Sequence, residues 1–182
     1  MTSNVLVLTI CGILLVICAL ILAQVAVTGL GNTVTVSQQT KNEETLTAET
    51  VKVARIIDGD TIVLSDGRRV RYLGINAPEI TTNAKKAQCF AQEAKTSNEN
   101  LVLGKTVRLE KDTTNRDKYG RLLRFVFVNS VGGQEVLVND YLIRQGFAKV
   151  LSIPPDLKLE SQFNDALDEA QFNRRGLWEA CF

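Results

Sequence analysis

Between Thr50 and Ile75 lie three short β-branched and apolar runs separated by two Asp-Gly steps, and this pattern governs what the chain can fold into. Thr50 to Ile57 interleaves Lys52 and Arg55 with β-branched residues, as a half-buried strand does. Asp58-Gly59 marks a turn, and Thr61 to Leu64 the next strand. Ser65-Asp66-Gly67 reads as a hairpin turn, since Asp-Gly tolerates the positive φ that such turns need. Arg69 to Ile75 is the third strand, and Asn76-Ala77-Pro78 ends it because proline has no N–H for a further ladder bond. The three runs make a meander. In a meander the start of the second strand and the end of the third share one end, so Asp60 and residues 76–79 are expected to converge.

The period then changes. Ala84 to Leu103 has helical spacing and ends at Gly104, with Thr96-Ser97-Asn98 as a weak stretch where a kink or break is expected. Thr106 to Glu110 and Leu122 to Val128 read as strands, flanking the charged loop Lys111 to Arg121. Helices follow at Val136 to Gln145 and at Asp156 to Arg175, and Leu177-Trp178 is expected to fold back on the core. Five short strands interleaved with three helices in about 130 residues predict an α+β domain, a five-stranded OB-type β-barrel with helical additions.

A second segment is of another kind. From Val5 to Val27 (VLVLTICGILLVICALILAQVAV) there is no charge. A run of ~20 apolar residues matches the hydrocarbon core of a bilayer, and this one lacks the polar face of a soluble helix. It reads as a transmembrane helix. The tail 1–4 before it has no Lys or Arg and the cleavage pattern after it is poor, which favours an uncleaved anchor over a signal peptide. Cleavage would instead make the protein secreted. Residues 28–50 are polar and Thr-rich and read as a flexible linker, leaving 51–182 as the folded domain.

The net charge of +1 hides an asymmetry: residues 51–153 hold 17 Lys and Arg against 11 Asp and Glu, and residues 154–182 hold 3 against 6. A basic section suits an anionic partner, although an ordinary solvated surface accounts for it too. The chain has no histidine, which excludes Ser-His-Asp triads, histidine metal sites and imidazole bases. Cys11 and Cys18 fall in the apolar run as small apolar residues. Cys89 and Cys181 lie outside it and belong to no CxxC, so zinc is not expected. They are either two reduced thiols or a disulfide, and a disulfide would place the domain in an oxidising compartment.

Asp60, Asn76, a backbone carbonyl and Glu79 make an oxygen-rich set of the kind Ca²⁺ takes. Arg71 and Arg121 add two guanidinium forks, and arginines beside a hard cation suit a phosphodiester transition state. With no histidine available, Glu79 is the natural group to activate a water. Singly, each residue has a plainer reading: Asp58-Gly59 as a turn, Arg71 in a cross-sheet ion pair, Glu79 as a helix-start acid, Arg121 as a solvated loop charge. All of these together, in these topological places, are harder to explain so.

The segments IDGDT, RYLGINAPE and RDKYGR, followed by VNDYLIRQGFAKV and RRGLW, resemble the staphylococcal nuclease (thermonuclease) family over residues 51–180. That resemblance implies an OB-fold barrel with three helices and Ca²⁺-dependent cleavage of DNA and RNA. It puts Asp60, Asn76 and the Ala77 carbonyl on the metal, Glu79 near the attacking water, and Arg71 and Arg121 on the scissile phosphate. Lys118 and Tyr119 match the strip beside the nucleotide's phosphate end. Cys89 and Cys181 resemble a disulfide pair of exported members. The expectation is a monomeric domain held outside the cytoplasm by its membrane anchor. Two departures stand out. Asn76 replaces the aspartate of the best-known member, which keeps an oxygen but removes a charge. Leu151-Ser152-Ile153-Pro154-Pro155 also lacks the tyrosines that stack on the nucleotide there. The competing expectation is a non-catalytic OB-fold module that binds nucleic acid or protein. Such a module should have lost Arg71, Glu79 or Arg121, and all three are present.

Overall fold

The computed structural model describes residues 49–80 and 86–181. The expected transmembrane segment 5–27 therefore lies outside the described residues, as does nearly all of the linker. Among the described residues no helix is long and apolar enough to cross a membrane.

Strand β1 (Glu49–Ile56) is the spine of the fold. Its first half pairs antiparallel with β5 (Thr106–Glu110), from Glu49 opposite Leu109 to Lys52 opposite Thr106. Its second half pairs with β2 (Thr61–Leu64), and the register shifts between Val53 and Arg55. Such an irregularity bends a strand and lets one strand serve two walls. β2 pairs antiparallel with β3 (Arg69–Tyr72), which lies parallel to β6 (Leu122–Asn129). β6 returns antiparallel to β5, so β1-β2-β3-β6-β5 closes on itself as a five-stranded barrel. The interior is filled by Val53, Ile62, Leu64, Val70, Tyr72, Val107, Leu109 and Val126, all buried. Each aliphatic side chain so buried contributes roughly 1.5–3 kcal/mol. The expected α+β barrel of OB type is what these pairings build.

Several boundaries differ, each for a local reason. The third strand stops at Tyr72. Gly74 takes φ 73°, and Ile75–Asn76 form a separate short strand, β4, which pairs with β8 (Lys149–Val150). The helix expected from Ala84 is α1, Ala91–Val102. Phe90, at φ 68°, stands in the left-handed region, so no helix can run through it. No break occurs at Thr96–Asn98: Asn98 is buried, accepts from the Tyr72 hydroxyl at 2.9 Å and donates to the Asp58 carbonyl at 3.1 Å. Glu135–Leu137 is a strand, β7, with Val136 opposite Val128, and the helix α2 spans only Val138–Arg144. The last long helix, α3, spans Glu160–Phe172. Asp156 lies outside it, accepting from the Thr114 amide at 2.7 Å. Leu177 is buried as expected, within a one-turn helix α4 (Leu177–Ala180).

Candidate active site

The turn from β1 to β2 brings Asp60 to one end of the barrel, and the packing there explains its neighbour Gly59. A Cβ on Gly59 would stand 2.6 Å from the Ala77 Cβ and 2.9 Å from the Ala94 Cβ. Glycine is thus required where the turn is pressed between the β4 exit and α1. Asp60 is 3% exposed. Its Oδ2 accepts from the Ala77 amide at 2.7 Å and its Oδ1 from the Thr61 hydroxyl at 3.0 Å. Arg71 Nε lies 3.1 Å from the same Oδ1. The meander therefore does bring Asp60 and the 76–77 segment together.

All three guanidinium nitrogens of Arg71 are engaged, and one of its five N–H donors, on Nη2, remains for a ligand. Its Nη1 donates to the carbonyls of Tyr72 and Ile75, both at 2.8 Å, and its Nη2 to Asn76 Oδ1 at 3.0 Å. A single planar fork thus joins Asp60, Asn76 and two strand-end carbonyls. Burial pushes the Asp60 carboxyl up to about 7; nearby Asp58 adds to the rise, while Arg71, the Ala77 amide and the Thr61 hydroxyl act against it. A buried carboxyl with so costly a charge is one that a further cation would stabilise.

Asp60 Oδ1 and Asn76 Oδ1 meet on one positive group, so the donors are hard oxygens gathered around a site for positive charge. That chemistry fits Ca²⁺ in kind. Among the described residues no three histidine, cysteine or acidic side chains cluster in a way that could hold a metal. Any ion here would rest on one carboxylate plus neutral oxygens.

A groove of about 470 Å³ runs from this node across the β3 and β6 ends. Arg71, Lys118, Tyr119 and Arg121 line it, together with Leu151 and Ile153. Arg121 is held by Asp117, whose Oδ2 accepts from Arg121 Nε at 2.7 Å. Asp117 Oδ1 also accepts from the amides of Arg121 and Tyr119, at 3.0 and 2.9 Å. Tyr119 is 64% exposed, with Lys118 Nζ 5.1 Å and the Arg121 guanidinium 5.5 Å from its ring centre. Two arginines facing one groove can clamp a phosphate.

Glu79 lies three residues beyond Asn76 and is exposed. Its amide donates to Gln88 Oε1 at 3.0 Å, and its carbonyl accepts from the Gln88 amide at 3.0 Å. Cys89, the next residue, is disulfide-bonded to Cys181.

Comparison with known sequences places this geometry. The family model described as Staphylococcal nuclease homologue matches residues 69–180. The chain belongs to the staphylococcal nuclease family. The thermonuclease of Staphylococcus hyicus is 32% identical over 133 residues, covering 71% of this chain and 76% of its own. That of Staphylococcus intermedius is 33% identical over 142 residues, covering 76% and 82%. Endonuclease YncB of Bacillus subtilis is 35% identical over 143 residues, covering 76% and 64%.

Of the residues singled out in the sequence, Asp60, Arg71, Asn76 and Ala77 share one node in this family member, joined by an ion pair and hydrogen bonds. Ala77 meets Asp60 through its amide rather than its carbonyl. Arg71, Lys118, Tyr119 and Arg121 share one groove. Among the described residues the Glu79 side chain forms no hydrogen bond or ion pair with either group. Three residues of the site escaped the sequence reading: Asp117, Gln88 and Asn98. The i,i+4 spacing of Asp117 and Arg121 was the one available signal. Asn98 belongs to the helix-weakening stretch Thr96–Asn98, and nothing in the sequence marks Gln88.

Proposed function

We propose that this domain is a Ca²⁺-dependent nuclease that hydrolyses phosphodiester bonds of DNA, RNA or both with little base specificity. That it is a phosphodiester hydrolase follows from its family and from relatives named thermonuclease and endonuclease. The observation that carries the rest is the pairing of an oxygen node with an arginine groove: Arg71 belongs to both, reaching Asp60 and Asn76 while lining the cleft with Arg121.

In this reading Asp60, Asn76 and the Ala77 carbonyl would hold the ion, and a bound Ca²⁺ would supply fixed positive charge to the developing negative charge on the phosphate. Glu79 accepts a proton from water as its oxygen attacks phosphorus. The bond from phosphorus to one ester oxygen breaks, and that oxygen leaves as an alcohol after taking a proton from solvent. Arg71 and Arg121 hold the non-bridging oxygens and share the charge that builds on them. Lys118 and Tyr119 position the phosphate end of the nucleotide. Leu151 and Ile153 offer an apolar wall where a base would lie, with no donors or acceptors to read base edges.

Residues 5–27 would anchor the domain to a membrane with residues 28–48 as tether, since Glu49 and Thr50, expected in the linker, belong to β1. The disulfide supports an oxidising, non-cytoplasmic location for the folded part. The test is cleavage of single-stranded DNA, duplex DNA and RNA in calcium and in chelator. Calcium-dependent degradation of any of the three supports the reading. A folded protein that retards nucleic acid on a gel without cutting it at any calcium concentration would support the binding module instead.

A further inference from the structure

Glu79 carries the proton transfer in the proposed reaction, yet it sits on an exposed segment. Its position must come from somewhere. The residue that meets it is Gln88, nine positions later in the chain. The two form a reciprocal clasp: the Glu79 amide donates to Gln88 Oε1 at 3.0 Å, and the Gln88 amide donates to the Glu79 carbonyl at 3.0 Å. One bond uses a side chain that only certain residues can supply; the other uses backbone alone.

Gln88 is itself fixed from its C-terminal side. Cys89 is bonded to Cys181, which ties this point to the end of α4. Phe90 stacks on Phe147, with ring centres 5.6 Å apart and an interplanar angle of 20°. Phe90 also holds φ 68°, a conformation that costs a non-glycine residue energy and persists only where its surroundings impose it. Gln88 and Cys89 line a cavity of about 440 Å³ together with Asn76, Pro78 and Lys149, so the clasp borders the oxygen node. Three consecutive residues are thus anchored to three separate parts of the domain, and the first of them grips Glu79.

We propose that Gln88 is a positioning residue for Glu79, and that the Cys89–Cys181 disulfide anchors it. The inference rests on Glu79 acting in the reaction as set out above. The clasp sets where the Glu79 backbone stands relative to Asn76, and so where its carboxylate can meet water. Small displacements of a catalytic group lower rate without weakening substrate binding.

The test uses the full-length chain in detergent, with calcium and single-stranded DNA. Gln88→Leu removes the acceptor while keeping much of the bulk. It should lower kcat about tenfold with KM within about twofold. Gln88→Glu, which keeps an oxygen at the same reach, should recover most of the rate. In a Glu79→Gln background, Gln88→Leu should have no further effect, because there is no carboxylate left to position. Hydrogen exchange at the Glu79 amide should be slow in the wild type and accelerated in Gln88→Leu. Cys89→Ser with Cys181→Ser, assayed well below its own unfolding temperature, should lower kcat in the same direction. Equal losses from Gln88→Leu in both backgrounds, or an unchanged kcat, would overturn the positioning role while leaving the nuclease reading intact. A folded wild type that cuts nothing would overturn the nuclease reading and the proposal with it. In that case the Glu79 amide would still be protected, which tells the two failures apart.

Discussion

Asp60 is a carboxylate that water no longer screens, held between one arginine and two hydrogen-bond donors. Its folded-state value, about 7, lies above the ordinary 3.8. The folded protein therefore holds a proton that the unfolded chain releases across that window. The metal-free protein should lose stability at this residue as pH rises from about 4 to about 7, and no further above it. Chemical denaturation in chelator, wild type against Asp60→Asn, isolates the effect: the wild type's standing relative to the variant should worsen across the window. A difference independent of pH would show that Asp60 is ionised throughout. At Arg71 the matter is geometry rather than charge. A lysine there keeps the charge but cannot reach Asp60, Asn76 and two carbonyls with one planar fork. Arg71→Lys should lower kcat by about 100-fold or more, the scale of losing one transition-state donor. Steady-state kinetics at saturating calcium checks it.

The elements show what was legible in the chain and what was not. β2 and β5 fall where apolar and β-branched runs and turn residues put them: β2 lies between Asp58-Gly59 and Ser65-Asp66-Gly67, and β5 follows Gly104. The start of α1 was misplaced because the alanines before it have helical spacing, while the constraint that excludes a helix is tertiary: Phe90 turned to positive φ against Phe147. β4 and β8 are two residues each, too short to carry any period, and exist only by pairing with each other. The parallel seam of β3 with β6 joins residues about fifty apart, and local sequence holds no record of such a partner. In the site, Asp60 and Asn76 could be foreseen because a meander returns to its own start. Gln88 could not, since its value lies in one contact across the chain. Gly59 belongs to this scale. It looked like turn punctuation, yet its hydrogen is what lets β4 and α1 close over Asp60. Gly59→Ala should cost about 1–3 kcal/mol, the range for overpacking a core. It should lower activity at temperatures where the variant is still folded, since the displaced neighbour is Ala77. Thermal unfolding and cleavage assays read the two effects separately.

Across the whole domain, the Cys89–Cys181 bond spans 92 residues and ties the end of the chain to the entrance of α1. On the chain-entropy account, closing so long a loop stabilises the fold by about 4–5 kcal/mol, and engineered cases often give less. The double serine variant should unfold at a lower denaturant midpoint by a corresponding amount, with the slope of the transition raised only modestly. No change in midpoint would mean that α4 is held near the entrance of α1 by packing alone. The excess of Lys and Arg over residues 51–153 belongs to the same scale: in the proposed reading it would favour a polyanion near the groove that Arg71 and Arg121 line. In the proposed reading, Glu79 activates water on a phosphate held by Arg71 and Arg121. The most direct test is a single-turnover rate on single-stranded DNA, with protein in excess and calcium saturating, for the wild type and Glu79→Gln. Losing a general base should lower that rate by about 10²–10⁴-fold while DNA binding stays within a few fold, and chelator should abolish the wild-type rate. A Glu79→Gln protein that cuts at the wild-type rate would exclude Glu79 as the base that activates the attacking water.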